Sequence, residues 1–174
     1  FPYGGIVLAH SNEAEWESFR NNKKNEAFLS RISLIKVPYV LQVDEVAQIY
    51  RKLVRRSDKL SVENIAPDTV ELLATFSVLA SMTDPGSNST WRSKLRVYNG
   101  ENVKGTDPKA RTIRDYRKDA GVTEGMSGFD PRVGFEVLAR TFNFDIEEVA
   151  ANPVHLFHVL EDVIQNEQLG DERE

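Results

Sequence analysis

The sequence predicts a mainly helical protein that opens with a short parallel β-α-β unit. Two apolar runs, residues 6–9 and 33–40, have the composition of buried strands, and the first run stops at a polar His-Ser-Asn cluster. A helical segment separates the runs, and this order places both strands parallel in one sheet. Because two strands cannot form a stable parallel sheet, we expect the remaining strands upstream of Phe1, in a longer chain.

Capping residues and apolar spacing predict the helices. Ser11 or Asn12 can cap a first helix, whose acidic first turn suits the positive end of the helix dipole. Further helices are predicted from Asn25, at 43–54, at 66–82, after Asp130-Pro131 and after Asn152-Pro153. The chain thus divides into a β-α-β remnant at 1–40 and a helical part at 41–174, with a polar insertion near 84–129 and a helix at about 130–142.

Composition narrows the class of protein. The 174 residues are 40% hydrophobic, which is enough for one sizeable core. The absence of cysteine excludes disulfides and thiolate metal sites, and the sequence has neither a membrane-length apolar run nor a signal-peptide pattern at its start. These features predict a cytoplasmic protein.

Charge is unevenly distributed along the chain. The net charge of −5 argues against a general nucleic-acid binder. Residues 92–119 nevertheless contain nine basic and four acidic residues, whereas residues 144–174 contain nine acidic residues and one arginine. Both segments can be solvated surface, they can attract each other, or the basic segment can face an anionic partner.

The His-Ser-Asn cluster at 10–12 is the first candidate site. In open parallel α/β sheets, ligands bind beyond the carboxyl ends of the strands, and this cluster follows the first predicted strand. An asparagine there can orient a water or a phosphate oxygen. The alternative is that Asn12 only caps the helix after it, and spacing alone favours the cap.

Several long stretches resemble one known family. They are GGIVLAHSNEAEWESFRNNKKNEAFLSRI followed by KVPY, then KLRVYNGE, DPKARTIRDYRKDAGVTEGMSG, FNFD and EVAANPVHL. They are spread along nearly the whole chain, from residue 4 to residue 156, and resemble the late part of the AAA+ ATPase module of the PrkA family of bacterial serine protein kinases. The resemblance implies that 1–40 ends a P-loop NTPase α/β core, with the sensor 1 strand, the arginine-finger helix and the last strand. It also implies that 41–174 is the helical AAA+ lid, with the sensor 2 helix at about 130–142.

The resemblance also implies roles for three side chains. Asn12 corresponds to sensor 1, which holds the attacking water near the terminal phosphate. Arg31 lies where the family places the arginine finger that reaches the ATP of a neighbouring identical subunit. Arg132 corresponds to sensor 2, which contacts phosphates of its own subunit's nucleotide, although the family generally has a hydroxyl residue where this chain has Pro131. The implied cofactors are ATP and Mg²⁺, and the implied partners are the rest of the AAA+ core, neighbouring subunits and a protein substrate, with no membrane or nucleic acid.

Other residues compete for these roles. Arg20 is a second candidate for the finger, and Arg140 is a second candidate for sensor 2, although its mid-helix position favours surface pairing. Arg31 can instead pair with Glu26. Two histidines, at positions 155 and 158, have a spacing that can bind a metal, but no third ligand is evident, and packing is the favoured interpretation.

The sequence lacks the parts that ATP hydrolysis needs most. It contains no GxxxxGK[ST] phosphate loop, no clear acidic strand end to hold magnesium, and no protein-kinase HRD or DFG motif. We therefore expect the parent protein to be an ATP-dependent kinase, with its kinase region downstream, and this chain to be inactive alone. One alternative is a non-catalytic helical interaction module that docks through its charged segments. Another is a single-strand nucleic-acid binder that uses Trp91, Arg92, Lys94, Arg96 and Tyr98.

Overall fold

The computed structural model describes residues 4–57, 60–145, 147 and 150–171, with side chains of the last helix described as far as Asn166. The chain divides into two compact units, Phe1–Lys36 and Val37–Glu174. The described residues form eight α-helices. They are α1 Glu13–Asn21, α2 Glu26–Leu29, α3 Val43–Arg55, α4 Thr69–Ser81, α5 Trp91–Tyr98, α6 Ile113–Ala120, α7 Pro131–Phe142 and α8 Pro153–Asp171. The mainly helical prediction is therefore confirmed, and none of the helices described is long and apolar enough to cross a membrane.

The first unit lacks the predicted β-α-β arrangement. Residues 6–9 and 33–40 form no strand in the part of the chain that the structure describes, and the side chains of Ile6, Val7 and Leu8 are 87%, 75% and 93% exposed. A strand needs a neighbour for its backbone N–H and C=O groups, and the described residues of this unit supply none. The two helices predicted between these runs do form, as α1 and α2, with the 3₁₀ turn Lys23–Asn25 between them.

Four helices build the core of the second unit. Helices α3, α4, α7 and α8 pack against one another, and the side chains of Tyr50, Leu73, Val78, Leu138 and Leu156 are fully buried between them. Helix α4 buries residues around most of its circumference, as its continuous apolar sequence predicts. An isolated parallel bridge between Ile65 and Ala151 joins the segments that precede α4 and α8.

The polar insertion near 84–129 is part of this core. It contains α5 and α6, and α5 packs on both α4 and α6. The side chains of Tyr98 and Tyr116 are only 2% exposed, with ring centroids 6.3 Å apart. The capping box formed by Thr112 and Asp115 starts α6, and its hydrogen bonds hold the pKa of Asp115 below its usual value.

Gly128 lies against the end of α4 with no room for a side chain. Its φ is +147°, and a Cβ atom there would lie 2.0 Å from Ser81 Oγ and 2.6 Å from Ser81 Cα. We expect Gly128→Ala to lower the free energy of unfolding by about 3 kcal/mol, because the substitution combines backbone strain with overpacking. Urea-induced unfolding followed by circular dichroism measures this change. Gly105→Ala is the matched control, since a Cβ at Gly105 meets nothing within 4 Å; equal losses in both variants would contradict the prediction.

Candidate functional site

Asn12 is the N-cap of α1. Its Oδ1 accepts a hydrogen bond from the Glu15 backbone N–H at 2.7 Å, and the residue is exposed. Its amide Nδ2 has no hydrogen-bond partner among the residues that the structure describes. The capping interpretation is therefore observed, and it leaves the donor half of the same amide free for a water or a phosphate oxygen.

Arg31 follows α2 directly and is exposed. Its Nη1 donates a hydrogen bond of 3.2 Å to the Ala27 carbonyl, at the negative end of α2. The ion pairs found in the described part of the chain do not include one between Arg31 and Glu26. The charge of Arg31 is therefore held by one backbone contact and keeps most of its donors available.

Arg20 remains a rival for the finger role on geometric grounds. It is exposed in the last turn of α1, and its side chain has no ion-pair partner in the described residues. Among the described residues of the first unit, the charges of Arg20 and Arg31 differ only in the hydrogen bond that Arg31 makes to Ala27.

Arg132 occupies the second position of α7, after Pro131. Its backbone N–H donates to Asp130 Oδ1 at 2.7 Å, and its exposed side chain has no partner among the described residues. The sequence signal Asp-Pro thus sets the start of the helix as predicted. Arg132 belongs to the second unit, whereas Asn12 and Arg31 belong to the first.

Arg140, the rival for sensor 2, is already paired. Its Nη2 lies 2.6 Å from Glu136 Oε1, one helical turn earlier, and both side chains are more than half exposed. Both residues line a cleft of about 290 Å³ between α7 and α8, together with Val133, Val137, Val163 and Asn166. The surface pair that its mid-helix position predicts is therefore present.

The two histidines pack on an aromatic ring. Phe144 lies 4.6 Å from the ring of His155 and 5.7 Å from that of His158, and His155 is also hydrogen-bonded to Asn152. Within the described residues, no group of three His, Asp or Glu side chains is placed to hold a metal ion. Packing is thus the arrangement that the structure shows for both.

The structure contains a buried ion pair that was not predicted from the sequence. Lys94 is 0% exposed, and its Nζ donates to Glu124 Oε2 at 2.8 Å, to the Thr83 carbonyl at 2.7 Å and to Thr83 Oγ1 at 3.1 Å. The same Nζ lies over the rings of Tyr98 and Tyr116, 5.9 Å and 5.5 Å from their centroids. Glu124 Oε1 is buried without a hydrogen-bond partner in the described part of the chain. A lysine among arginines in a polar segment looks like solvated surface, so only the apolar spacing of α5 hinted at burial.

Burial of these residues bears on the nucleic-acid alternative. Single-strand binding would need Lys94 as a cation and Tyr98 as a stacking ring, and neither side chain reaches the surface. Burial raises the pKa of Tyr98, and the Glu124 carboxylate adds to the effect. Only Trp91, Arg92 and Arg96 of the proposed set are accessible.

Comparison with known proteins decides the family. Residues 1–89 match the family model described as the PrkA AAA domain, and residues 92–174 match the model described as the PrkA serine protein kinase C-terminal domain. The chain belongs to the PrkA family. The resemblance to the PrkA family drawn from the sequence is therefore confirmed. The match to its AAA domain ends at residue 89, and Arg132 lies in the match to its C-terminal domain.

Two PrkA-family relatives show how the chain compares with longer proteins. It is 54% identical, over 99% of its length, to the serine/threonine kinase YeaG of Escherichia coli (strain K12). It is 43% identical, over 78% of its length, to the ATP-dependent protease PrkA of Bacillus subtilis (strain 168). The chain spans 26% of the first relative and 21% of the second. No solved structure matches it.

The boundary between the two PrkA family models falls inside the second unit. Helix α4 lies in the AAA match and packs against α5, α7 and α8, which lie in the C-terminal match. Lys94 and Glu124 on one side of the boundary bind Thr83 on the other. The Ser89 and Tyr116 hydroxyls, 2.5 Å apart, form a second link across it. The two family regions therefore share one hydrophobic core in this chain.

Proposed function

We propose that this chain supplies the nucleotide-sensing end of the AAA+ module in a cytoplasmic, ATP- and Mg²⁺-dependent serine protein kinase of the PrkA type. Residues 1–40 would complete the α/β core once its other strands are present, and residues 41–174 would form the helical lid. The match of residues 1–89 to the PrkA AAA domain is the observation that carries this proposal. Since the sequence contains no phosphate loop, the chain alone does not hydrolyse ATP.

The free donors of the first unit support the roles of Asn12 and Arg31. Phosphoryl transfer is catalysed mainly by positioning the nucleophile and offsetting charge on the transferred group. Asn12 Nδ2 can hold the attacking water while Oδ1 stays fixed by Glu15, so the cap orients the amide. The exposed guanidinium of Arg31 can approach the ATP of a neighbouring subunit, because Ala27 is its only hydrogen-bond partner in the described part of its own unit.

The position of Arg132 supports its role as sensor 2. In the first turn of α7, Pro131 has no N–H and Asp130 accepts hydrogen bonds from the N–H groups of Arg132 and Gly134, which leaves the Val133 N–H without a partner among the described residues. The helix dipole adds partial positive charge there, so a phosphate placed beside this turn would meet the guanidinium of Arg132 and that N–H together. The Asp130 side chain keeps one N–H occupied and adds a negative charge nearby, which favours a contact made by the long arginine side chain over one made by the backbone.

The names of the relatives differ in the reaction that they give. One is called a serine/threonine kinase and the other an ATP-dependent protease. ATP use is common to both names, so the proposed sensing role of this chain holds for either reaction. We propose protein phosphorylation as the output because YeaG is the more similar of the two and aligns over nearly the whole chain.

Loss of Arg132 tests the proposed function. In the full-length protein, we expect Arg132→Ala to weaken nucleotide binding by about tenfold, the loss of about 1.4 kcal/mol expected for one charge-assisted contact. Titration with a fluorescent ATP analogue measures the dissociation constant. Arg140→Ala is the matched control, because this arginine is on the same helix and already pairs with Glu136. If Arg140→Ala weakened nucleotide binding and Arg132→Ala left it unchanged, the sensor 2 role would belong to Arg140.

A further inference from the structure

The first turns of α7 lie against the hydroxyl group of Tyr50. This side chain comes from α3 and is fully buried. A Cβ atom at Gly134 of α7 would lie 2.1 Å from Tyr50 Oη and 2.6 Å from two of its ring carbons. The backbone of α7 can approach this closely only because residue 134 has no side chain.

Ser77 fixes the direction of the Tyr50 hydroxyl. The two hydroxyl oxygens are 2.7 Å apart, and the Ser77 hydroxyl donates its only proton to the Leu73 carbonyl at 2.8 Å. Tyr50 must therefore donate to Ser77 Oγ. Burial raises the pKa of Tyr50, and the charge of Asp130 at the start of α7 adds to the effect, so the hydroxyl stays protonated near neutral pH.

We propose that Tyr50, held by Ser77, is a positioning residue that sets where α7 presents Arg132 to the nucleotide. Arg132 precedes Gly134 by two residues, so its Cα lies about 3 Å from that of Gly134 along the helix axis. Anything that lifts α7 from Tyr50 moves the Arg132 backbone with it. A misplaced arginine loses part of its contact with the nucleotide, so the loss of affinity stays below the roughly tenfold loss expected when the contact is removed altogether. This inference rests on the proposed function of Arg132.

A purely structural role of the contact makes a different prediction. If Gly134 served packing alone, Gly134→Ala would change only the stability of the protein, because it combines a gain in helix propensity with the cost of overpacking. Nucleotide affinity of the folded protein would then stay the same. The effect of the substitution on affinity, and its dependence on Arg132, therefore separates positioning from packing.

The experiment is a double-mutant cycle in the full-length protein, read by titration with a fluorescent ATP analogue. We expect Gly134→Ala to weaken binding about fivefold. We expect the double variant Arg132→Ala/Gly134→Ala to bind no more weakly than Arg132→Ala alone, because the displaced helix then has no arginine to misplace. Val137→Ala is the matched control: this buried side chain is one turn further along α7, and its truncation lowers the melting temperature without lifting the helix.

Two results would overturn the inference in distinguishable ways. If Arg132→Ala leaves nucleotide affinity unchanged, the proposed function of Arg132 is wrong and the positioning role falls with it. If Arg132→Ala weakens binding but Gly134→Ala behaves like Val137→Ala, or its effect adds fully to that of Arg132→Ala, only the positioning role is wrong. Should Gly134→Ala not fold, Tyr50→Phe keeps the ring and removes the hydroxyl. We expect it to weaken binding about threefold, and unchanged affinity would again refute the role of Tyr50.

Discussion

Replacing Arg31 with alanine in the full-length protein is expected to slow ATP hydrolysis by about 10³-fold or more, with nucleotide affinity nearly unchanged. Its guanidinium is exposed, makes one hydrogen bond to a backbone carbonyl and carries an unpaired charge among the described residues. An arginine supplied across a subunit boundary acts mainly on charge that develops in the transition state, so its loss lowers turnover and spares binding. Steady-state hydrolysis and nucleotide titration measure the two quantities separately.

Arg20→Ala is the matched control for this prediction. It removes the same charge from an exposed arginine of the same unit. We expect little change in turnover; loss of turnover in Arg20→Ala but not in Arg31→Ala would transfer the finger role to Arg20. A fall in affinity without a fall in turnover per bound ATP would instead make Arg31 structural.

Mixed assemblies show whether Arg31 acts in trans. Subunits with Arg31→Ala keep their phosphate loop, and subunits with a disabled phosphate loop keep Arg31. Each type is inactive alone, and mixing restores hydrolysis only if the arginine of one subunit serves the nucleotide of its neighbour. Failure of mixing to restore activity would place Arg31 in its own subunit's site.

The variant Lys94→Met is expected to lower the free energy of unfolding by about 3–5 kcal/mol. The substitution removes the cation from a fully buried pair and leaves the Glu124 carboxylate without it. That carboxylate is 5% exposed, and its second oxygen has no hydrogen-bond partner in the described residues. Urea-induced unfolding of the chain measures the loss.

Two comparison variants define what the Lys94 effect means. Lys94→Met/Glu124→Leu removes both charges, and we expect it to recover most of the stability, because buried pairs can be replaced by apolar side chains at little cost. Arg140→Ala breaks a pair whose members are 54% and 61% exposed, and we expect a change below about 1 kcal/mol. A Lys94→Met effect as small as that of Arg140→Ala would mean that water solvates Glu124 after the lysine is lost.

The Lys94 network also shows why the family boundary is not a folding boundary. Thr83, before the boundary, accepts two hydrogen bonds from Lys94 and donates one to Glu124, and both of these residues lie after it. Helices from both family regions bury the same apolar side chains. Cutting the chain between residues 89 and 92 would therefore expose core surface on both pieces.

Local signals explain what could be predicted of the fold. The pair Asp130-Pro131 predicts the start of α7, and Asn152-Pro153 predicts the start of α8; both helices begin at the proline. Asn12 was correctly expected to cap α1. These features succeed because a cap acts on backbone groups two or three residues away, without help from the rest of the molecule.

The predicted strands failed for the opposite reason. The apolar composition of residues 6–9 marks them as strand-forming, but strand pairing needs a partner, and in the described chain these residues are exposed. The candidate site residues were predicted on two different grounds. Asn12 follows a predicted strand, whereas Arg31 and Arg132 were chosen through resemblance to the PrkA family. The roles of all three stay predictions.

Motifs, caps and apolar spacing act over short stretches, so the amino-acid sequence was enough to predict the family of this chain, its mainly helical class and the starts of its principal helices. The burial of Lys94 against Glu124, 30 residues away, and the approach of Gly134 to the Tyr50 hydroxyl became visible only in the folded chain. The first contact joins α5 to the loop between α6 and α7, and the second joins α3 to α7. Their energies depend on how closely two surfaces approach, and no local pattern encodes that distance.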